Sequence, residues 1–161
     1  MKSNFLRKLA ISMAAMVFAM IPALSAPYEK GQAIEAFQSK DQHDNAFTFN
    51  PADTRFLLVS HDMDTGKKAN AALTALGKDY LGSKKAIYMA NIFGMPGIGR
   101  FFAIPKMKKY QHRIVLADDA ALIARFPQQT GKVTVLTVSA GKVESIAYWT
   151  PGAEVVDGYL K

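Results

Sequence analysis

The feature that most constrains this chain is an apolar run, Phe56-Leu57-Leu58-Val59, that passes through Ser60-His61-Asp62-Met63-Asp64-Thr65-Gly66 into an amphipathic segment ending near Leu81. A strand, a polar turn and a helix N-terminus in direct succession are how α/β proteins present chemistry at the carboxyl end of a strand. Ala69, Leu73, Leu76 and Tyr80 recur at spacings of four and three, which predicts a helix with one apolar face. Lys67, Lys68, Asn70, Thr74 and Lys78 take the other face, Asp64 is placed to cap the first turn, and Gly82 is placed to stop the helix.

Residues 1–25 read as a signal peptide outside the fold. Lys2, Arg7 and Lys8 make a basic start, Leu9 to Ile21 an apolar run, and Ala23-Leu24-Ser25 a small-residue cleavage site. A retained anchor would need a longer uninterrupted span than one broken by Pro22. The expected product is a periplasmic or secreted protein, residues 26–161, with no stable membrane anchor after processing. That length suits a single domain with one core. The formal charge of +7 includes the three leader cations, so the remainder is only mildly basic. For an exported domain that balance argues against nucleic acid and leaves an anionic protein or a small anion as the expected partner.

The chain contains no cysteine. Thiol redox chemistry is therefore closed to it, although export would deliver it to a compartment where disulfides persist. Its sulfur beyond the leader lies in Met63, Met89, Met95 and Met107.

Other segments complete an α/β pattern. Two short strands flanking Gln42-His43-Asp44-Asn45 predict a β-hairpin, and Lys85–Ile92 a second buried strand parallel to the first. Pro96 is placed to open a helix carrying Ile98, Phe101 and Phe102, with Pro105 expected to break or restart it. His112–Ala117 predicts a strand that turns at Asp118-Asp119-Ala120 into an antiparallel neighbour, Ala121–Phe126. Val133–Val138 and Lys142–Trp149 predict a C-terminal hairpin, followed by a short helix over Gly152–Leu160.

In order and spacing, Phe37-Gln38-Ser39-Lys40-Asp41-Gln42-His43, Arg55-Phe56-Leu57-Leu58-Val59-Ser60 and Ile114-Val115-Leu116-Ala117-Asp118-Asp119 resemble the thioredoxin-like superfamily, in particular its peroxiredoxin-like branch. In lacking cysteine the chain also looks like uncharacterised exported bacterial proteins. The resemblance implies a mixed central sheet with an N-terminal β-hairpin, flanking helices and a C-terminal antiparallel hairpin. It also implies what has been lost: Ser60-His61-Asp62-Met63-Asp64 stands where that superfamily carries its reactive cysteines, and Tyr110-Gln111-His112 where a proline would open the strand facing them.

What remains for function is the turn itself. Ser60, His61, Asp62, Met63, Asp64 and Lys67 are the expected ligand- or partner-binding residues of a non-enzymatic binding or accessory protein without a cofactor. An alternative is soft-metal binding, with His61 and Met63 supplying the imidazole and thioether suited to Cu(I), and Met89, Met95, Met107 and His112 near by. Packing is the commoner role of methionine and accounts for Met89 as core in a buried strand and for Met95 and Met107 as gap-fillers. A third reading takes Asp62 and Asp64 as a Mg²⁺-dependent phosphatase motif, with Lys106 and Asp118-Asp119 as later partners. Its spacing fails: that motif places Thr or Val four residues after the first Asp, whereas Thr65 is three after Asp62 and Gly66 holds the fourth position. No Gly-x-Ser-x-Gly elbow supports a hydrolase.

Overall fold

The computed structural model describes residues 26–161; the expected signal peptide lies outside the described residues. The apolar run becomes β3 (Phe56–Ser60), buried at every position. It sits inside a seven-stranded mixed sheet built with β1 (Phe37–Asp41), β2 (Ala46–Phe49), β4 (Ala86–Asn91), β5 (Val115–Ala117), β6 (Val133–Ser139) and β7 (Lys142–Trp149). The strand order is β2-β1-β5-β4-β3-β6-β7. β3 pairs in parallel with β4, from Phe56 opposite Ala86 to Ser60 opposite Ala90, and antiparallel with β6. Both expected hairpins form, and β1 joins the first of them to the sheet through β5.

Because β3 is covered on both faces, its side chains divide by parity. Leu57 and Val59 enter one core with Phe47, Phe49, Met89, Leu122 and Phe126. Phe56 and Leu58 enter the other with Ala69, Leu73, Tyr88, Ile114, Trp149 and Leu160. This is why the strand reads as a continuous apolar run and not an alternating one.

α1 (Met63–Ala75) packs on the second face through Ala69, Asn70 and Leu73. It ends earlier than expected: Leu76 is its cap and exposed, and Gly77 takes the left-handed backbone (φ +91°) that stops it. Tyr80 belongs to a separate short turn, α2 (Tyr80–Ser83), so Gly82 is not the stop. α3 (Gly97–Met107) runs through Pro105 without breaking. The proline lies in the last turn, where its missing amide costs only the intrahelical partner of the carbonyl on exposed Phe101.

Three further expectations are corrected. Ala121–Phe126 is no antiparallel strand: Asp119 accepts from the Leu122 amide at 2.7 Å and caps a short helix, α4 (Ala120–Ala124), laid on the first core. The expected helix over Gly152–Leu160 shrinks to a single 3-10 turn, Val156–Gly158, which buries its own Val156 and the following Leu160. The strand beside β3 on its other side is β6, which opens at Val133, so Tyr110-Gln111-His112 leads into β5 instead of facing the turn along that edge.

Candidate functional site

Ser60 ends β3 fully buried, with its hydroxyl 2.9 Å from that of Tyr88 on the neighbouring strand. Burial pushes the Tyr88 phenol upward, so the pair stays neutral. His61 leaves the strand in the opposite direction: its Nε2 lies 3.2 Å from Thr134 Oγ1 on β6, and its carbonyl accepts from Asn91 Nδ2 at 3.2 Å. Desolvation outweighs the favourable Pro127 carbonyl and Asp62 charge and holds the ring below its ordinary pKa, so it is a neutral imidazole.

Asp62 is the N-cap of α1. One carboxylate oxygen accepts from the Thr65 amide at 2.8 Å and the other from the Thr65 hydroxyl at 2.7 Å. Burial alone would raise this carboxyl, but the Thr65 and Asp64 hydrogen bonds prevail and hold it below the usual carboxylate range. Asp64, the expected cap, instead lies exposed in the first turn, 3.4 Å from exposed Lys67.

Above Ser60 a cleft of about 300 Å³ opens between the first turns of α1 and the inner side of α3. Its apolar lining comes from Met63, Met95, Phe102, Ala103, Met107 and Tyr110. Ser60, Asp62, Asn70 and Asn91 supply its polar atoms, and Lys67 and Lys106 its positive charge. Of the residues expected at the site, Ser60, Asp62, Met63 and Lys67 thus share one cleft, whereas His61 and Asp64 are not among its lining. Met89, by contrast, is wholly buried in the first core.

Behind the wall stands a polar group that hydrophobic periodicity alone hides. Asn70 Oδ1 lies 2.9 Å from His112 Nε2, which fixes that nitrogen as the donor, and leaves Nδ1 buried without a partner among the described residues. The ring stacks on Tyr110 (centroids 5.6 Å apart, 28° between planes) and meets Tyr88 edge-on. Desolvation lowers its pKa to about 4. Asn70 was expected on the solvent face. Its place between Ala69 and Leu73, four residues after Gly66, is the signal that puts it inside.

The carboxylates of the phosphatase reading are dispersed: Asp62 is a cap, Asp118 pairs with Arg100 and Asp119 caps α4. Among the described residues no three His, Asp or Glu side chains are gathered closely enough to hold a metal ion. The basic stretch Lys106-Met107-Lys108-Lys109 is split, since Lys108 pairs with Asp44 at 3.4 Å while Lys106 lines the cleft.

No family model and no curated protein sequence matches the chain. Solved structures do. A thio-disulfide isomerase from Thermus thermophilus superposes with a TM-score of 0.52 at 19% identity, over 82% of this chain and 94% of that one. Peroxidoxin BcpB from Mycobacterium tuberculosis gives 0.56 at 11% identity, over 83% and 94%. The thioredoxin domain of a thiol-disulfide oxidoreductase from Bacteroides vulgatus gives 0.52 at 13%, over 83% and 99%. The chain therefore has the thioredoxin-like fold, shared with thiol-disulfide and peroxiredoxin-like proteins. It has it without a cysteine.

Proposed function

We propose that this protein is an exported, non-redox thioredoxin-like domain that binds a ligand in the cleft above Ser60 and catalyses no reaction there. The observation that carries the reading is the cleft itself: it opens at the carboxyl end of a central strand, is lined by thioethers and aromatic rings, and holds no thiol. Its polar floor has no unengaged nucleophile, since the Ser60 hydroxyl is bonded to Tyr88 and no histidine lines the cleft. Export rests on the composition of residues 1–25. Among the described residues no helix is long and apolar enough to cross a membrane.

The test uses a neutral apolar dye, N-phenyl-1-naphthylamine, and a variant that fills the cleft, Ala103→Trp. Saturable fluorescence enhancement by the wild-type protein, lost in a variant of unchanged melting temperature, is the expected result. Equal enhancement in both proteins, or none in the wild type, refutes it.

A second reading, Cu(I) binding, is favoured by one observation, the convergence of Met63, Met95 and Met107 on the same cleft. The ligand set would then be these thioethers, with His61, committed to Thr134, joining Met63 only after a rotation. Competition with a bathocuproine chelator decides: one Cu(I) retained per chain by the wild type, and lost in Met63→Ala, supports it.

A further inference from the structure

We propose that the ligand of this cleft is a small anionic amphiphile, an alkyl chain or ring bearing a single carboxylate, an inference that rests on the cleft being a binding site at all. The interior of the cleft selects the apolar part. Two of its polar side chains are largely engaged, the Ser60 hydroxyl with Tyr88 at 2.9 Å and the Asn70 carbonyl oxygen with His112 at 2.9 Å. A polar group inserted there would give up its water for few partners, chiefly the Asn70 amide N–H groups, whereas an apolar one gives up no hydrogen bond. The walls suit a flexible chain. Methionine side chains are unbranched and polarizable and adapt to irregular shapes, and three of them face this space. A Cβ at Gly99 would come within 3.1 Å of Met95 Cγ, so the glycine is what leaves room for that side chain. The outer wall can also yield, because α3 buries none of its residues fully.

Charge selects the head group. Lys67 and Lys106 line the cleft from the two helices that flank it, so each can bring an ammonium to a carboxylate at the mouth. Lys106 makes no ion pair among the described residues, and Lys67 reaches only Asp64, in a pair so exposed that it competes weakly. Asp62 is the one acidic residue in the lining, and both its oxygens are held by Thr65. Its carboxylate is committed to the helix cap and keeps its charge, so two ammonium groups stand against one carboxylate in the lining and the balance favours an anion. The cleft volume stands at the low end for small-molecule sites, near 300 Å³. That size fits one short chain and not a diacyl lipid.

Isothermal titration of the purified protein with octanoate, 1-octanol and octylamine, each below its micellar concentration and at low salt, tests this directly. Octanoate is expected to bind tightest and octylamine weakest. In the Lys67→Gln/Lys106→Gln variant, both positions being exposed, octanoate should weaken about tenfold while 1-octanol is unchanged. Ala103→Trp should abolish binding of all three. Equal affinity for octanoate and 1-octanol, or octanoate binding unaltered by the double substitution, overturns the anionic assignment and leaves the cleft a binding site. Failure of all three probes to bind, or binding undiminished in Ala103→Trp, overturns the binding-site reading itself.

Discussion

Asp62 and Asp64 are two residues apart and carry the same group, yet only one of them starts the helix. The difference is backbone conformation: Asp62 is extended (φ −135°, ψ 164°), which aims its carboxylate back at the Thr65 amide, while Asp64 already lies inside the helix. Asp62→Ala is therefore expected to cost about 1 kcal/mol in urea unfolding. Asp64→Ala should change stability by less than about 0.5 kcal/mol, since an exposed pair with Lys67 contributes little. A larger loss from Asp64→Ala than from Asp62→Ala contradicts the assignment. The sequence shows that one of the two carboxylates caps, because the apolar face begins just beyond them. Which one depends on a single ψ angle that no spacing encodes.

His112 carries a second prediction at this scale. In the unfolded chain its ring takes a proton near pH 6.5, whereas in the fold it resists until about 4. Between those values the unfolded state binds more protons, so stability is full above pH 6.5 and falls as the pH drops toward 4. The slope contributed cannot exceed about 1.4 kcal/mol per pH unit. His61, also held below its ordinary value by desolvation, adds to it with the same sign. Urea midpoints measured between pH 7 and 4.5 should fall more steeply in wild type than in His112→Phe. Parallel pH profiles would mean that the buried ring titrates normally.

At the scale of elements, the strands were legible because their patterns differ in kind: β3 and β4 are continuous apolar runs, and the β6–β7 hairpin announces itself through Ser139-Ala140-Gly141. There Ala140 and Gly141 both take positive φ, 49° and 72°, as a tight hairpin turn requires. α4 was not legible. Ala121-Leu122-Ile123-Ala124 is too short to show either period, and the Asp119 cap decides for a helix where the apolar composition suggested a strand. The end of α1 was misplaced for a related reason: Leu76 and Tyr80 continue the apolar spacing past the point where Gly77 has turned the backbone. Gly77→Ala should destabilise by about 1 kcal/mol, since alanine is strained at φ +91°, although nothing crowds the position. Gly82→Ala is expected to be neutral or slightly stabilising, because Gly82 lies in a helical turn with open space around it. Equal losses at the two glycines in thermal unfolding would show that the helix stop is shared.

At the scale of the whole molecule, a central sheet with a core on each face brings three separate stretches of chain to one opening. Ser60 to Asn70, Asn91 to Met95 and Phe102 to Tyr110 meet there because β3 and β4 run in parallel and end together, leaving α1 and α3 to flank the gap. The strand-to-helix turn at Ser60 was visible in the sequence. The cleft was not, since Phe102, Ala103 and Met107 belong to a helix whose apolar residues read as ordinary core. Ile98, Phe101 and Phe102 are in fact more than half exposed, so this helix spends little of its apolar surface on the fold.

The central claim, that a cysteine-free thioredoxin-like fold has kept the opening above its first core strand as a binding site, is tested most directly by the methionine methyl groups. In the ¹³C-methyl-methionine spectrum, titration with octanoate or N-phenyl-1-naphthylamine is expected to shift Met63, Met95 and Met107 together along one saturation curve. Met89, wholly buried in the opposite core, should stay in place. Saturable binding that leaves those three methyls unmoved, or that moves Met89 as much as them, would contradict the account.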